Sequence, residues 1–166
     1  MADVKWAYPA GAAYTITLNS LGSGAYVTGA EIDNTTNLYL DVLLSGAIKT
    51  GATAVAGEVI EIFVSGQYDT GTGSDWGGGL GTNFNPTLGE ADETEGTGIV
   101  LVNTQRVGTI TVGAINALHH FGPWGIARRF GGWLPPAWNV IVKWAGTDPL
   151  GTGHSIGYQG MKTEDA

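Results

Sequence analysis

The residues able to do chemistry are few. His119, His120 and His154 are the only imidazoles. A zinc centre needs three or four converging ligands, and adjacent side chains on a strand point to opposite faces, so His119 and His120 cannot easily chelate one ion from a strand. There is no cysteine, which excludes disulfides, thiolate metal sites and a thiol nucleophile. Oxygen ligands are more plentiful. Asp69 to Asp75 reads DTGTGSD, and Glu90, Asp92, Glu93 and Glu95 cluster further along. Alternating oxygens in a glycine-rich loop can bind calcium, but the bidentate Glu and flanking helices of an EF-hand are missing. A solvated loop edge is the favoured reading of both stretches, a weakly held ion the alternative. No GxSxG nucleophile turn occurs. Glu58 and Glu61 could pair for hydrolysis, as carboxylates do on any β-protein. Gly77 to Gly79 and Gly131-Gly132 do not join a strand to a helix, so neither cradles a phosphate. These residues predict no enzyme, no metal and no cofactor. A small hydrolase on a β-scaffold is the weakest of the readings left open.

Aromatic residues are more informative. The chain has six Trp and six Tyr. Trp138 and Trp144 fit the core face of a strand. Trp6, Trp76, Trp124 and Trp133 fall where alternation is weaker. Surface Trp commonly anchors an interface, or stacks on sugar rings as in a lectin. The candidate interface set is Trp6, Tyr8, Trp76, Phe84, Trp124 and Trp133, with Trp6 and Trp76 read as contacts to another chain.

The elements that must position these residues are strands. Helical periodicity is nearly absent, and period-two alternation runs between turn clusters. Strands are predicted at Tyr14 to Leu18, Ala25 to Ile32, Asn37 to Ser45, Glu58 to Ser65, Ile99 to Val102, Val107 to Val112, Trp138 to Trp144 and His154 to Tyr158. In the third, Leu38, Leu40, Val42 and Leu44 share a face. In the seventh, Trp138, Val140, Val142 and Trp144 do. Val112 to His120 permits a short helical turn. Three segments read as non-strand: an extended arm, Met1 to Ala13; a long loop, Gln67 to Glu95; and a turn, Gly146 to Gly153. About eight strands without a long helix predict an all-β fold, a sandwich or barrel. The organisation is an arm over 1–13 and one domain over 14–166.

Composition bounds the partners. At 166 residues the chain can bury roughly two-thirds of its unfolded surface without staples. Only 13% of residues are charged, which suits a surface partly covered by neighbours. The net charge is −8, with seven Lys and Arg, a poor footprint for a phosphate backbone. Neither nucleic acid nor an anionic membrane is an expected partner. Met1 to Ala13 has one Lys and no apolar run, unlike a signal peptide, and no stretch approaches the ~20 apolar residues of a membrane helix.

Three runs carry a resemblance: DNTTNLYLDVLLSG (Asp33 to Gly46), GEVIEIFVSGQYD (Gly57 to Asp69) and FGGWLPPAWNVIVKWAGT (Phe130 to Thr147). Together with the aromatic arm, they resemble small virion proteins of tailed bacteriophages. The resemblance implies an antiparallel β-sandwich, a jelly roll, that forms a homo-oligomer with a trimer favoured. It implies a capsid decoration or cement subunit, made in the host cytoplasm and bound to the major capsid protein on the head exterior. No catalytic residue carries over. The chain differs from that pattern in a longer acidic loop, Thr82 to Gly98. A carbohydrate-binding or lectin-like head-fibre or tail module is the alternative.

Overall fold

The computed structural model describes residues 4–69, 74–76, 94–95 and 104–165. The chain runs through β1 (Val4–Ala7), β2 (Ala12–Ala13), β3 (Tyr26–Thr28), β4 (Ile32–Asp33), a helical turn α1 (Asn34–Asn37), β5 (Asp41–Lys49) and β6 (Val59–Asp69). It continues through β7 (Ser74–Trp76), β8 (Thr94–Glu95), β9 (Thr104–Thr111), β10 (Leu118–Gly125), a 3-10 turn (Ala127–Phe130), β11 (Ala137–Trp144) and β12 (Ser155–Asp165). Among the described residues, no helix is long and apolar enough to cross a membrane.

Two antiparallel sheets pack as a sandwich. The first has the order β1–β12–β5–β10, with β2 also on β12; the second has the order β7–β6–β11–β3–β8, with β4 on β11 and β9 on β6. Take β2, β3, β5, β6, β9, β10, β11 and β12 as strands one to eight. The sheets then read 1-8-3-6 and 2-7-4-5, which is the jelly-roll arrangement. The expected fold is therefore the observed one.

The core lies between the sheets. Trp138, Val140, Val142 and Trp144 of β11 face Val42, Leu44 and Ile48 of β5, with Ile60, Ile62 and Val64 of β6 beside them. The period-two pattern dictates this, because a strand with one buried face must put its apolar side chains at alternate positions. Ile141 falls on the opposite face, in a second buried cluster with Tyr26 and Phe63. Fully buried strands lose the alternation in composition; in β11 only Lys143 is not buried.

Several expected elements differ. Tyr14 to Leu18 is no strand. Its alternation survives in burial, with Tyr14 and Leu18 buried and Ile16 half-buried. The segment bridges the two sheets: Tyr14 N–H donates to the Ile156 carbonyl, and Thr15 O accepts from Ala30 N–H. Val112 to His120 contains no helix; the chain turns at Asn116 (φ 47°) and β10 begins at Leu118. That strand escaped the alternation test because it is a sheet edge and buries only Phe121. The arm also contains strands. Val4 to Ala7 pairs with Asp165 to Lys162, and Ala12 and Ala13 with Tyr158 and Gly157. An edge strand is held by backbone bonds to one neighbour, so it needs no apolar face. The long loop carries β7 and β8 and begins only after Asp69. Ile99 to Val102, and the rest of that loop with Glu90, Asp92 and Glu93 of its acidic cluster, lie outside the described residues.

Candidate functional site

The third predicted strand starts late, and this creates an apolar hollow. Asp33 caps α1, its carboxylate accepting from Thr35 N–H at 2.7 Å. The turn ends at Leu38 in a left-handed conformation, φ 52°, uncommon for a non-glycine residue. Pairing resumes only where Leu40 N–H donates to the Met161 carbonyl at 2.7 Å. Leu38 and Leu40, expected on the core face, are therefore turned outward. They are 68% and 36% exposed, whereas Val42 and Leu44 of the same register are fully buried.

The opposite wall comes from the Pro-Pro segment. Pro135 packs where Gly66 lacks a side chain; a Cβ there would lie 2.7 Å from Pro135 Cγ. This close approach anchors the segment and leaves Trp133 raised, 77% exposed. Tyr39 lies over Gly160, where no side chain could fit beneath the ring. The resulting hollow, about 340 Å³, is lined by Asn34, Thr35, Leu38, Tyr39, Leu40, Trp133, Leu134 and Pro136.

The Asn34 and Thr35 side chains of its lining are engaged within the turn. The Asn34 side-chain amide donates to Tyr39 O at 3.1 Å, and its oxygen accepts from Tyr39 N–H at 2.8 Å. Asn34 N–H donates to Pro136 O at 2.7 Å. Thr35 Oγ1 donates to Asp33 at 2.6 Å. These groups fix the walls and leave an apolar surface to a visitor. Beside the hollow, Glu31 and Asp33 form an acidic pair with no ion-pair partner among the described residues. Partial burial, then the Asp33 charge, raises the Glu31 pKa. The Thr35 hydroxyl and N–H hold that of Asp33 down.

The predicted interface residues separate. Trp133 forms a wall of the hollow. Trp6 sits on β1 opposite Thr163, 61% exposed, and Tyr8 follows it at 57%. Trp124 is half-buried, its ring 5.1 Å from Phe121 and pressed against Gly108, so it packs the edge of the sandwich. Trp76 lies on β7 opposite Gln67, its side chain outside the described residues, as is all of Phe84. Leu38 and Leu40 were missed as surface residues. The signal was Asp-Asn-Thr-Thr, a helix N-cap motif, which cuts the alternating run short.

Exposed large apolar side chains follow a pattern. Among the described residues they are Trp6, Tyr8, Leu38, Leu40 and Trp133, towards the end where β5 and β11 begin, and Val55, Ile115 and Leu118 at the other end. The first group adjoins an overhang. β12 pairs with β5 only as far as Met161 opposite Asp41, and its last residues, from Lys162, pair with β1 alone. A two-stranded ribbon bearing Trp6 thus extends past the hollow's end of the sheet.

Titratable groups serve elsewhere. No group of three His, Asp or Glu residues among those described could hold a metal ion. Glu58 accepts from Thr147 N–H, Thr147 Oγ1 and Val55 N–H, and the Thr147 hydroxyl lowers its pKa. Glu61 pairs with Arg106 at 3.0 Å and Lys143 at 3.5 Å. The two glutamates expected as a possible pair thus have separate partners. His119 Nε2 lies 3.1 Å from Ala114 O, while His154 is half-buried between the Lys49 amide and the Gly151 carbonyl. No family model, curated protein or solved structure matches this chain.

Proposed function

We propose that the protein is a virion structural subunit, a capsid decoration or cement protein that binds the major capsid protein on the outside of a tailed-phage head. One observation carries the reading: a jelly-roll sandwich whose exposed apolar side chains are gathered at its ends, with the largest group around a mainly apolar hollow. Apolar surface concentrated in this way is a mark of a binding surface, a contact with another protein among the kinds it serves. A component that binds only the assembled shell stabilises it by its binding free energy, and a symmetric lattice multiplies a modest contact. The resemblance of the Asp33 to Gly46, Gly57 to Asp69 and Phe130 to Thr147 runs to phage virion proteins supplies the partner.

The carbohydrate-binding alternative has exposed Trp133 in its favour. A sugar site also needs several donors and acceptors for hydroxyls; Asn34 and Thr35 are both engaged within the turn, which leaves the lining only the Tyr39 hydroxyl and the Trp133 indole N–H as side-chain groups for that task. Quantitative mass spectrometry of purified particles tests the proposal. A copy number in a simple ratio to the major capsid protein is expected; a handful of copies, or none, would overturn it.

A further inference from the structure

We propose that Trp6 of one copy seats in the Leu38–Leu40–Trp133 hollow of a second copy, reciprocally, so that two sandwiches join end to end. The inference rests on the assembly reading above and names a two-fold self-contact within it, in place of the trimer that the resemblance favours.

Three observations converge. The hollow has room for one large side chain and an apolar lining. The chain itself displays a large aromatic at 61% exposure on a ribbon that overhangs the same end. Trp133, 77% exposed, gives an entering indole a ring to pack against, and aromatic pairs add about 1 kcal/mol beyond the area they bury.

Donor and acceptor lie at the same end, so one two-fold axis lets both insertions form together. That is an isologous contact, residue i on j and j on i. Trp6, Tyr8, Leu38, Leu40 and Trp133 leave on the order of 600 Å² of surface in water. A standard interface takes ~800 Å² from each partner, so these five residues supply most of one.

The full-length chain answers this in solution. Light scattering after gel filtration at tens of micromolar should give a dimer, and Trp6→Ala and Leu38→Asp should each give a folded monomer with unchanged circular dichroism. The absence of native cysteine allows a direct test. A Trp6→Cys chain mixed with a Leu38→Cys chain and oxidised should form a mixed disulfide in trans. A monomeric wild type, a trimer, or no mixed disulfide would overturn the proposal. Particle copy number is read separately, so a dimer absent from particles would refute the virion role and leave the contact standing.

Discussion

Tyr14 and Val140 are tied across the sandwich: the Val140 N–H donates to the Tyr14 hydroxyl oxygen at 2.7 Å, deep in the core. The same hydroxyl donates to Ala30 O at 2.7 Å, and the ring stacks on Trp138 with centroids 6.1 Å apart. Burial raises the phenol pKa, opposed by the Val140 hydrogen bond, so the group stays neutral. One side chain thus replaces the strand pairing that Tyr14 to Leu18 does not form. Tyr14→Phe keeps the ring and strips both bonds, leaving a buried amide and a carbonyl unmet. Chemical denaturation should show a loss of about 1–3 kcal/mol.

Asp41 clamps the end of the sandwich that bears the hollow. Its Oδ1 accepts from the backbone amides of Val42 at 2.7 Å, Ala127 at 2.8 Å and Ile126 at 3.0 Å. The clamp joins the start of β5 to the 3-10 turn that leads into Trp133. Asp41→Ala should cost about 2–3 kcal/mol, since hydrogen bonds to a charged group are worth more than neutral ones. Fluorescence-monitored urea unfolding would reveal it as a lower midpoint at unchanged slope.

His154 makes stability depend on pH. Its Nδ1 accepts from Lys49 N–H at 3.1 Å, and Nε2, the protonated nitrogen, donates to Gly151 O at 2.8 Å. This geometry requires the neutral ring. Burial lowers its pKa, with the Gly151 carbonyl opposing. The unfolded chain therefore binds the proton more readily, and stability rises with pH across this titration. The contribution is complete above the ordinary histidine value of 6.5 and is lost as pH falls below it. Melting temperatures at pH 7.5 and pH 5 should differ more for the wild type than for His154→Asn; an equal difference would refute the assignment.

Gly146 should tolerate no side chain. A Cβ there would collide with the Trp144 ring, which is fully buried and donates its indole N–H to Asp148 O at 2.6 Å. Gly146→Ala should destabilise by about 1–3 kcal/mol through overpacking. Gly131→Ala, at φ 78° but in open space, should cost less. Thermal melts of the two variants provide the comparison.

Trp133 separates stability from association. With 77% of its surface in water, Trp133→Ala should leave the melting temperature of the monomer within about 2 °C, since exposed substitutions change stability little. Sedimentation velocity should nevertheless show weaker self-association.

Much of the fold was legible along the chain because strand burial writes itself as a period of two. The core positions of β11 and β6, and the upper half of β5, follow from that pattern alone. The absence of cysteine and the low charge equally needed no structure. Sequence periodicity finds an edge strand only where it buries alternate apolar residues, as β9 does with Val107 and Ile110. β1, β2 and β10 are held by backbone hydrogen bonds to one neighbour, and backbone bonding leaves no side-chain signature. It also misplaced Leu38 and Leu40. Their alternation matched the core, but the Asp33 cap and the Asn34 bonds to Tyr39 stop the strand short and turn both outward. The hollow pairs residues about a hundred positions apart in sequence, set side by side by the β5 and β11 lanes of the two sheets. Local sequence determined which side chains prefer a core; only the tertiary structure decided which of them were left over.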